Sequence, residues 1–378
     1  MSQTIFADSK PHYQILDGLR GVAAIMVIMM HIAEPYCYGD YTRMIINHGY
    51  LAVDFFFLLS GFVIAHAYDD RWGKMTLGDF FKRRLIRLHP MILIGMTIGA
   101  ICFYWTASPT VFPPVASTHL WKLLLVLVIG YTLLPVPLSM DIRGWAEMHP
   151  LDGPAWTLFF EYIANIMYAL VLRYLPKMAL LALALTAAGF TLHYGITGKG
   201  DLIGGWSLTA EQLGIGFMRL ACPFLSGMFI ARAFTPGKWG NTFLWCSLLL
   251  IVLLAWPRLG GHEAPWKNGL YEALCIILAF PAIVFLGASG SIQNKMVEKL
   301  CRFLGDISYP VYIIHYPFIY LFTAWMVDKH KPFSEAWPVA LLVLLGSISL
   351  AYFFFKIYDV PVRKWLTKKF VPKAAGKV

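Results

Sequence analysis

Apolar runs of similar length recur along the chain, at about 15–35, 49–67, 88–106, 120–136, 155–173, 178–195, 212–232, 242–257, 270–288, 306–326 and 337–357. Each is close to the roughly 20 residues that a helix needs to cross a bilayer core. The pattern predicts an all-α, polytopic membrane helix bundle. Basic residues decide which runs cross. The link after the second run carries Arg71, Lys74, Lys82, Arg83, Arg84 and Arg87, and the last stretch carries Arg363, Lys364, Lys368, Lys369, Lys373 and Lys377. Smaller groups lie at Arg173/Lys177, Arg232/Lys238 and Lys295/Lys299/Arg302. Positively charged links stay on the cytoplasmic side. Eleven complete crossings cannot put all of these on one side, whereas ten can. The run at 120–136, which is short, contains Gly130 and ends in Pro135 and Pro137, is expected to be re-entrant or partial. This gives about ten spans in one membrane domain over residues 1–378, with short cytoplasmic tails at about 1–13 and 360–378. The first run ends in no clear cleavage site and is expected to be retained as a span.

Composition agrees. Hydrophobic residues make up 58% of the 378 and charged ones 14%, with a mean hydropathy of +0.63. Soluble domains are nearer half apolar and a quarter charged. The net charge of +10 sits in clusters flanking apolar runs, so it reads as membrane topology and not as a nucleic-acid surface. Cys37, Cys102, Cys222, Cys246, Cys275 and Cys301 lack metal-ligand spacing, so neither a disulfide framework nor a metal site is expected. No internal repeat stands out.

Chemistry is carried by the few ionisable residues inside apolar runs, which are expensive there and usually face a cavity. Arg20 and His31 lie in the first run, eleven positions apart. At about 100° per residue they share a helix face, roughly 16 Å apart along the axis. Asp54 stands alone in the second run and needs a partner, while Ser60-Gly61 suits tight helix packing. Arg83 and Arg87 share a face beside Arg84. Arginine forks suit the phosphates of a nucleotide or coenzyme A, although charge alone favours topology and anionic lipid headgroups. Glu161 sits in an aromatic setting with Asn165 one turn on. The topology puts it in the outer half with His31, which it could orient as a general base; a structural carboxylate paired with a basic residue explains it equally well. Arg219 could be a counter-ion or bind substrate. Asp306 and Ser308 could cap the inner end of the tenth run. In that run His315, between Tyr312 and Tyr316, reads by itself as a packing group. No glycine-rich phosphate loop, paired-histidine zinc motif or nucleophile elbow is present.

Taken together, LDGLRGVAAIMVIMMH, GYLAVDFFFLLSGF, KRRLIRLHP, AWTLFFEYIANIMY, RLACPFLSGM and LGDISYPVYIIHYP resemble acyltransferase family 3, whose members often modify bacterial cell-surface sugars. They occur in the family's order over most of the chain. Arg20 and His31 match its basic-x10-His pattern; Tyr162 stands where a second acidic residue is usual. The resemblance implies transfer of a short acyl group, often acetyl, from a cytoplasmic acyl-CoA donor such as acetyl-CoA to a hydroxyl acceptor on an envelope sugar or glycan. It implies no metal and a place in the bacterial cytoplasmic (inner) membrane, in contact with lipid, with both termini cytoplasmic. His31, Arg20 and Glu161 are expected at the catalytic centre. Arg83, Arg84, Arg87, Ser60 and Tyr309 are expected to bind the donor, and Asp54, Trp156, Arg219 and His315 the acceptor. Some family members add an extracytoplasmic domain, and without one the membrane domain or a partner would complete transfer. The rival reading is a transporter of a small polar or acylated solute, which would typically show inverted repeats and broken helix pairs.

Overall fold

The computed structural model describes residues 12–38, 40–44, 46–235, 237 and 239–371. Lys238, Lys373, Lys377 and most of the leading tail lie outside the described residues. All eleven apolar runs are helical. The helices are α1 Gln14–Ala33, α2 Ala52–Tyr68, α3 Leu77–Cys102, the short α4 Pro113–Ser117, α5 Leu120–Thr132, α6 Ala155–Leu170, α7 Lys177–Thr197, α8 Ala210–Ala233, α9 Thr242–Ala255, α10 Trp266–Leu274, α11 Phe280–Ala288, α12 Lys295–Asp328, α13 Phe333–Phe354 and α14 Val360–Phe370. A π-helical turn joins α10 to α11, and another joins α13 to α14. Two short parallel strands, β1 Trp239–Gly240 and β2 Gly290–Ser291, tie the α8–α9 link to the end of α11.

Eight helical stretches are long and apolar enough to cross a membrane. The expected partial segment is α5. Its 13 residues reach about 20 Å, short of a hydrocarbon core of about 30 Å. α6 and α9, with 16 and 14 residues, are also short, so among the described residues eight stretches, and not ten, are long enough for a full crossing. The chain leaves α5 through Leu133 in a left-handed conformation (φ 60°). Residues 133–154 then tuck back under the bundle: the Val136 amide donates to the Met148 carbonyl, and the Met148 amide to the Trp206 carbonyl. Arg143 pins this loop. It is fully buried, donates to Thr106 and the Pro150 carbonyl, and lies 3.6 Å from the Tyr320 ring centre.

α1, α2 and α12 form the centre. In each of them 72–78% of the apolar window is buried, against 28% for α7 and 22% for α13–α14. Arg20, His31, Asp54, Ser60, Tyr309 and His315 lie on these central helices, while α7 and α13 present leucines outward. α1 packs along α12 and α2 along α8. The second contact explains Gly61. A methyl group there would sit 2.0 Å from the Phe224 carbonyl oxygen, and one at Gly227 would sit 2.1 Å from that of Leu58. Small residues bring these two backbones together, as the Ser-Gly pair suggested.

Candidate active site

Two cavities lie end to end along the α1–α12 face. The first, about 300 Å³, is lined by Asp17 and Arg20 from α1, Ser60 from α2, Arg84 and Arg87 from α3, Glu161 from α6, and Arg302, Asp306, Ser308 and Tyr309 from α12, with Asp359 and Arg363 closing it. Five arginines face four carboxylates there, leaving one net positive charge. Hydrogen bonds show where that charge is free. Arg20 donates to Asp17 (2.8 Å) and Ser308 (2.9 Å). Arg84 donates to Glu161 (2.7 Å) and Asn165 (2.9 Å), and Ser60 donates to the same Glu161 oxygen (3.1 Å). Arg302 pairs with Glu298, and Arg363 with Asp359. Arg87 makes no hydrogen bond or ion pair among the described residues, so its donor fork is open to an anion.

The second cavity, about 540 Å³, is lined by His31, Glu34, Tyr41, Glu147, Trp156, Trp206, Arg219, Tyr312 and Tyr316, among others. The His31 Nδ1 lies 3.0 Å from Glu34 Oε2. An ionised carboxylate only accepts, so Nδ1 carries the proton and the Nε2 lone pair is free. α1 gives way at this point to a short 3₁₀ turn, Glu34–Cys37, with Pro35 near its start, and this places Glu34 three residues beyond His31. The His31 ring is held edge-on to Tyr316 at 4.8 Å and stacks on His315 at 5.6 Å. Glu147 comes from the tucked loop and accepts from the Tyr320 hydroxyl. Burial pushes its carboxyl up to about 7, against the lowering effect of the Tyr320 and Arg143 partners. Glu147 lines the same cavity as His31.

The structure redistributes the expected residues. Arg20, Ser60, Arg84, Arg87, Glu161 and Tyr309 meet in the first cavity, and His31, Trp156 and Arg219 in the second. The expected pairing of His31 with Glu161 is not formed. Glu161 is held by Arg84 and Ser60 in the other cavity, and Glu34 is the carboxylate that reaches His31. α6 starts inside the bundle, because the loop before it is tucked in. Trp156 therefore faces the second cavity, and Glu161, five residues or about 7.5 Å further along, faces the first. Arg83 does not line either cavity. Asp54 and His315 are fully buried and line neither. His315 instead backs His31. Its Nδ1 lies 3.0 Å from the Val311 carbonyl, so it donates there. Asp54 is spent on Arg219, through contacts of 2.7 and 3.2 Å. Arg219 also donates to the carbonyls of Tyr50 and Gly204, so four of its five donors are used and it acts mainly as a staple between α2 and α8.

Sequence reasoning missed Glu34 and Glu147. The signal for Glu34 was present: an acid three residues after the histidine and just before proline, in HIAEP. Glu147 belongs to a loop whose inward course no local pattern announces.

The sequence profile of the family described as "Acyltransferase domain" matches residues 13–356. The chain belongs to acyltransferase family 3. The comparison with curated proteins is consistent. The chain is 32% identical to "Acyltransferase MdmB" of Streptomyces mycarofaciens over 323 residues, covering 80% of this chain and 77% of that protein. It is 24% identical over 385 aligned positions to "O-acetyltransferase OatA" of Staphylococcus aureus, covering 96% of this chain but 59% of that protein. "Protein 2 in picA locus" of Rhizobium radiobacter matches at 38% over 183 residues, 46% of this chain and 90% of that protein. No solved structure matches the chain. This family member is thus an acyl-transferring enzyme with a bundle of membrane-crossing helices.

Proposed function

We propose that this acyltransferase moves a short acyl group from acyl-CoA, held in the arginine-lined cavity, to a hydroxyl of an envelope sugar or glycan held in the histidine-lined cavity. The proposed orientation puts the arginine cavity at the cytoplasmic side, where acyl-CoA is found, with both termini there and the protein in a bacterial cytoplasmic membrane. The observation that carries the reading is the division of labour between adjoining cavities: an anion-seeking Arg87 in one, a carboxylate-oriented histidine base in the other.

Arg87 holds a donor phosphate, and Arg84, fixed by Glu161 and Asn165, keeps the wall positive without moving. In the second cavity His31 Nε2 takes the acceptor's hydroxyl proton as the oxygen attacks the thioester carbonyl. The new C–O bond forms, the C–S bond breaks, and the imidazolium returns its proton to the departing thiolate. Glu34 holds the ring in the right tautomer and stabilises its charged form. The aromatic walls, Tyr41, Trp156, Trp206 and Tyr316, suit the apolar face of a sugar ring.

The test is purified protein in lipid nanodiscs with radiolabelled acetyl-CoA and an envelope glycan extract from cells lacking the protein. Label should pass to the glycan with the wild type. His31→Ala should reduce transfer at least a hundredfold while thermal unfolding stays close to wild type. Equal transfer by His31→Ala removes the base role. No transfer by the wild type removes the acyl-CoA reading.

A further inference from the structure

The two cavities share two lining residues, Val53 of α2 and Tyr312 of α12. We propose that Val53 and Tyr312 form a neck that selects the acyl group by its cross-section as it passes from the arginine cavity to His31. This rests on the donor reading above.

Both side chains are almost completely buried, with 6% and 5% of their surface exposed, and each lines both cavities. Tyr312 is fixed at both ends. Its hydroxyl lies 3.0 Å from Thr157 Oγ1, and the edge of one ring meets the face of the other in its contact with Phe56, at 5.4 Å. Val53 is β-branched and stiff at χ1, so it cannot swing aside as a leucine or methionine would. On α12 the residues Ser308, Tyr312 and Tyr316 follow at four-residue steps on one face. They face the arginine cavity, the junction and the histidine cavity in turn.

The distances make the neck consequential. Arg20 and His31 are eleven residues apart on α1, or about 16 Å. A donor whose charged head stays with Arg87 must send its thioester past the junction to come near His31. The head group is far too wide to follow, and the linear arm behind the thioester is narrow. The acyl group enters first, so its width against Val53 decides whether it arrives. A small acyl group clears a valine-tyrosine gap; a longer or branched one needs a side chain removed.

The test measures thiol release from acetyl-CoA and butyryl-CoA by the wild type, Val53→Ala and Val53→Phe, with envelope glycan extract present. Val53→Ala should raise the butyryl-to-acetyl ratio of kcat/KM about tenfold, the scale of one or two methylenes in an apolar slot. Val53→Phe should lower acetyl turnover at least tenfold with an unchanged acetyl-CoA Kd. The ratio is taken on a single sample, so a partly folded preparation does not disturb it. If thiol release occurs but the ratio in Val53→Ala matches the wild type, the neck is wrong and the donor reading stands. If the wild type releases no thiol from either thioester, the donor reading fails and the neck with it.

Discussion

Replacing Glu34 with glutamine tests the reaction centre most directly. The substitution keeps the side chain's shape and removes its charge. In the wild type Glu34 Oε2 accepts from His31 Nδ1 at 3.0 Å, and Oε1 is 3.4 Å from the Tyr41 hydroxyl. A hydrogen bond to an ionised partner contributes about 1.5–3 kcal/mol net. The Glu34 side chain is 32% exposed, so water screens it and the lower part of that range applies. A loss of about 1.5–2 kcal/mol corresponds to a roughly ten- to thirtyfold lower rate. The amide can also present its NH₂ to Nδ1, which would favour the tautomer with no lone pair on Nε2. Glu34 lies outside the arginine cavity, so the acyl-CoA KM should not change and the whole effect should fall on kcat. Steady-state thiol release with saturating glycan extract reads both constants. Glu34→Asp, with its carboxylate withdrawn by one methylene, should fall between wild type and glutamine. A Glu34→Gln enzyme with kcat within twofold of wild type would refute the dyad, as would one whose loss tracks a loss of folded protein.

Four further outcomes follow from the same geometry. Arg87→Ala should raise the acyl-CoA KM at least tenfold and leave the thermal midpoint nearly unchanged, since no internal hydrogen bond is lost; isothermal titration with acetyl-CoA checks it. Asp54→Ala strands the Arg219 guanidinium in the core and should cost about 3–5 kcal/mol, seen as loss of monodisperse protein in detergent. Gly61→Leu drives a side chain into the Phe224 backbone and should lower stability by more than the roughly 1–3 kcal/mol of an ordinary overpacked site, read as a fall in the thermal midpoint. The Glu147 carboxyl, about 7 in the folded chain against an ordinary 4.5, gives stability that is complete below pH 4.5 and lost as pH rises through 7, because the folded state holds the extra proton. The full swing is on the order of 3 kcal/mol. Glu147→Gln should flatten the thermal midpoint between pH 5 and pH 8, whereas a slope equal to wild type would show that Glu147 is not the group responsible.

The helical runs were legible because lipid exposure imposes one period and one length on most of the chain. The shared face of Arg20 and His31 was legible because eleven residues are close to three helical turns. The pairing of charges was not. Arg84 chose Glu161 and Asn165, on a helix 77 residues away, and nothing in either segment fixes their relative depth. Depth is where the sequence misled: counting along the expected spans puts Glu161 beside His31, but α6 begins among buried residues, with Trp156 and not Glu161 at the cavity of His31. The role of Asp54 was foreseen as needing a partner, and Arg219 supplies it; Asp54 is thereby removed from the cavity walls, while Arg219 still lines the second cavity. A hydropathy profile shows that a charge is buried, yet not whether it is buried against protein or around water.

The arginine cavity draws walls from segments far apart in the sequence, Asp17 and Arg20 in α1 and Asp359 and Arg363 at and just after the turn into α14. The cavity is therefore fully walled only when α1 and the turn leading into α14 have docked. A truncation before Asp359 should leave a bundle that still inserts into the bilayer but is blind to its donor.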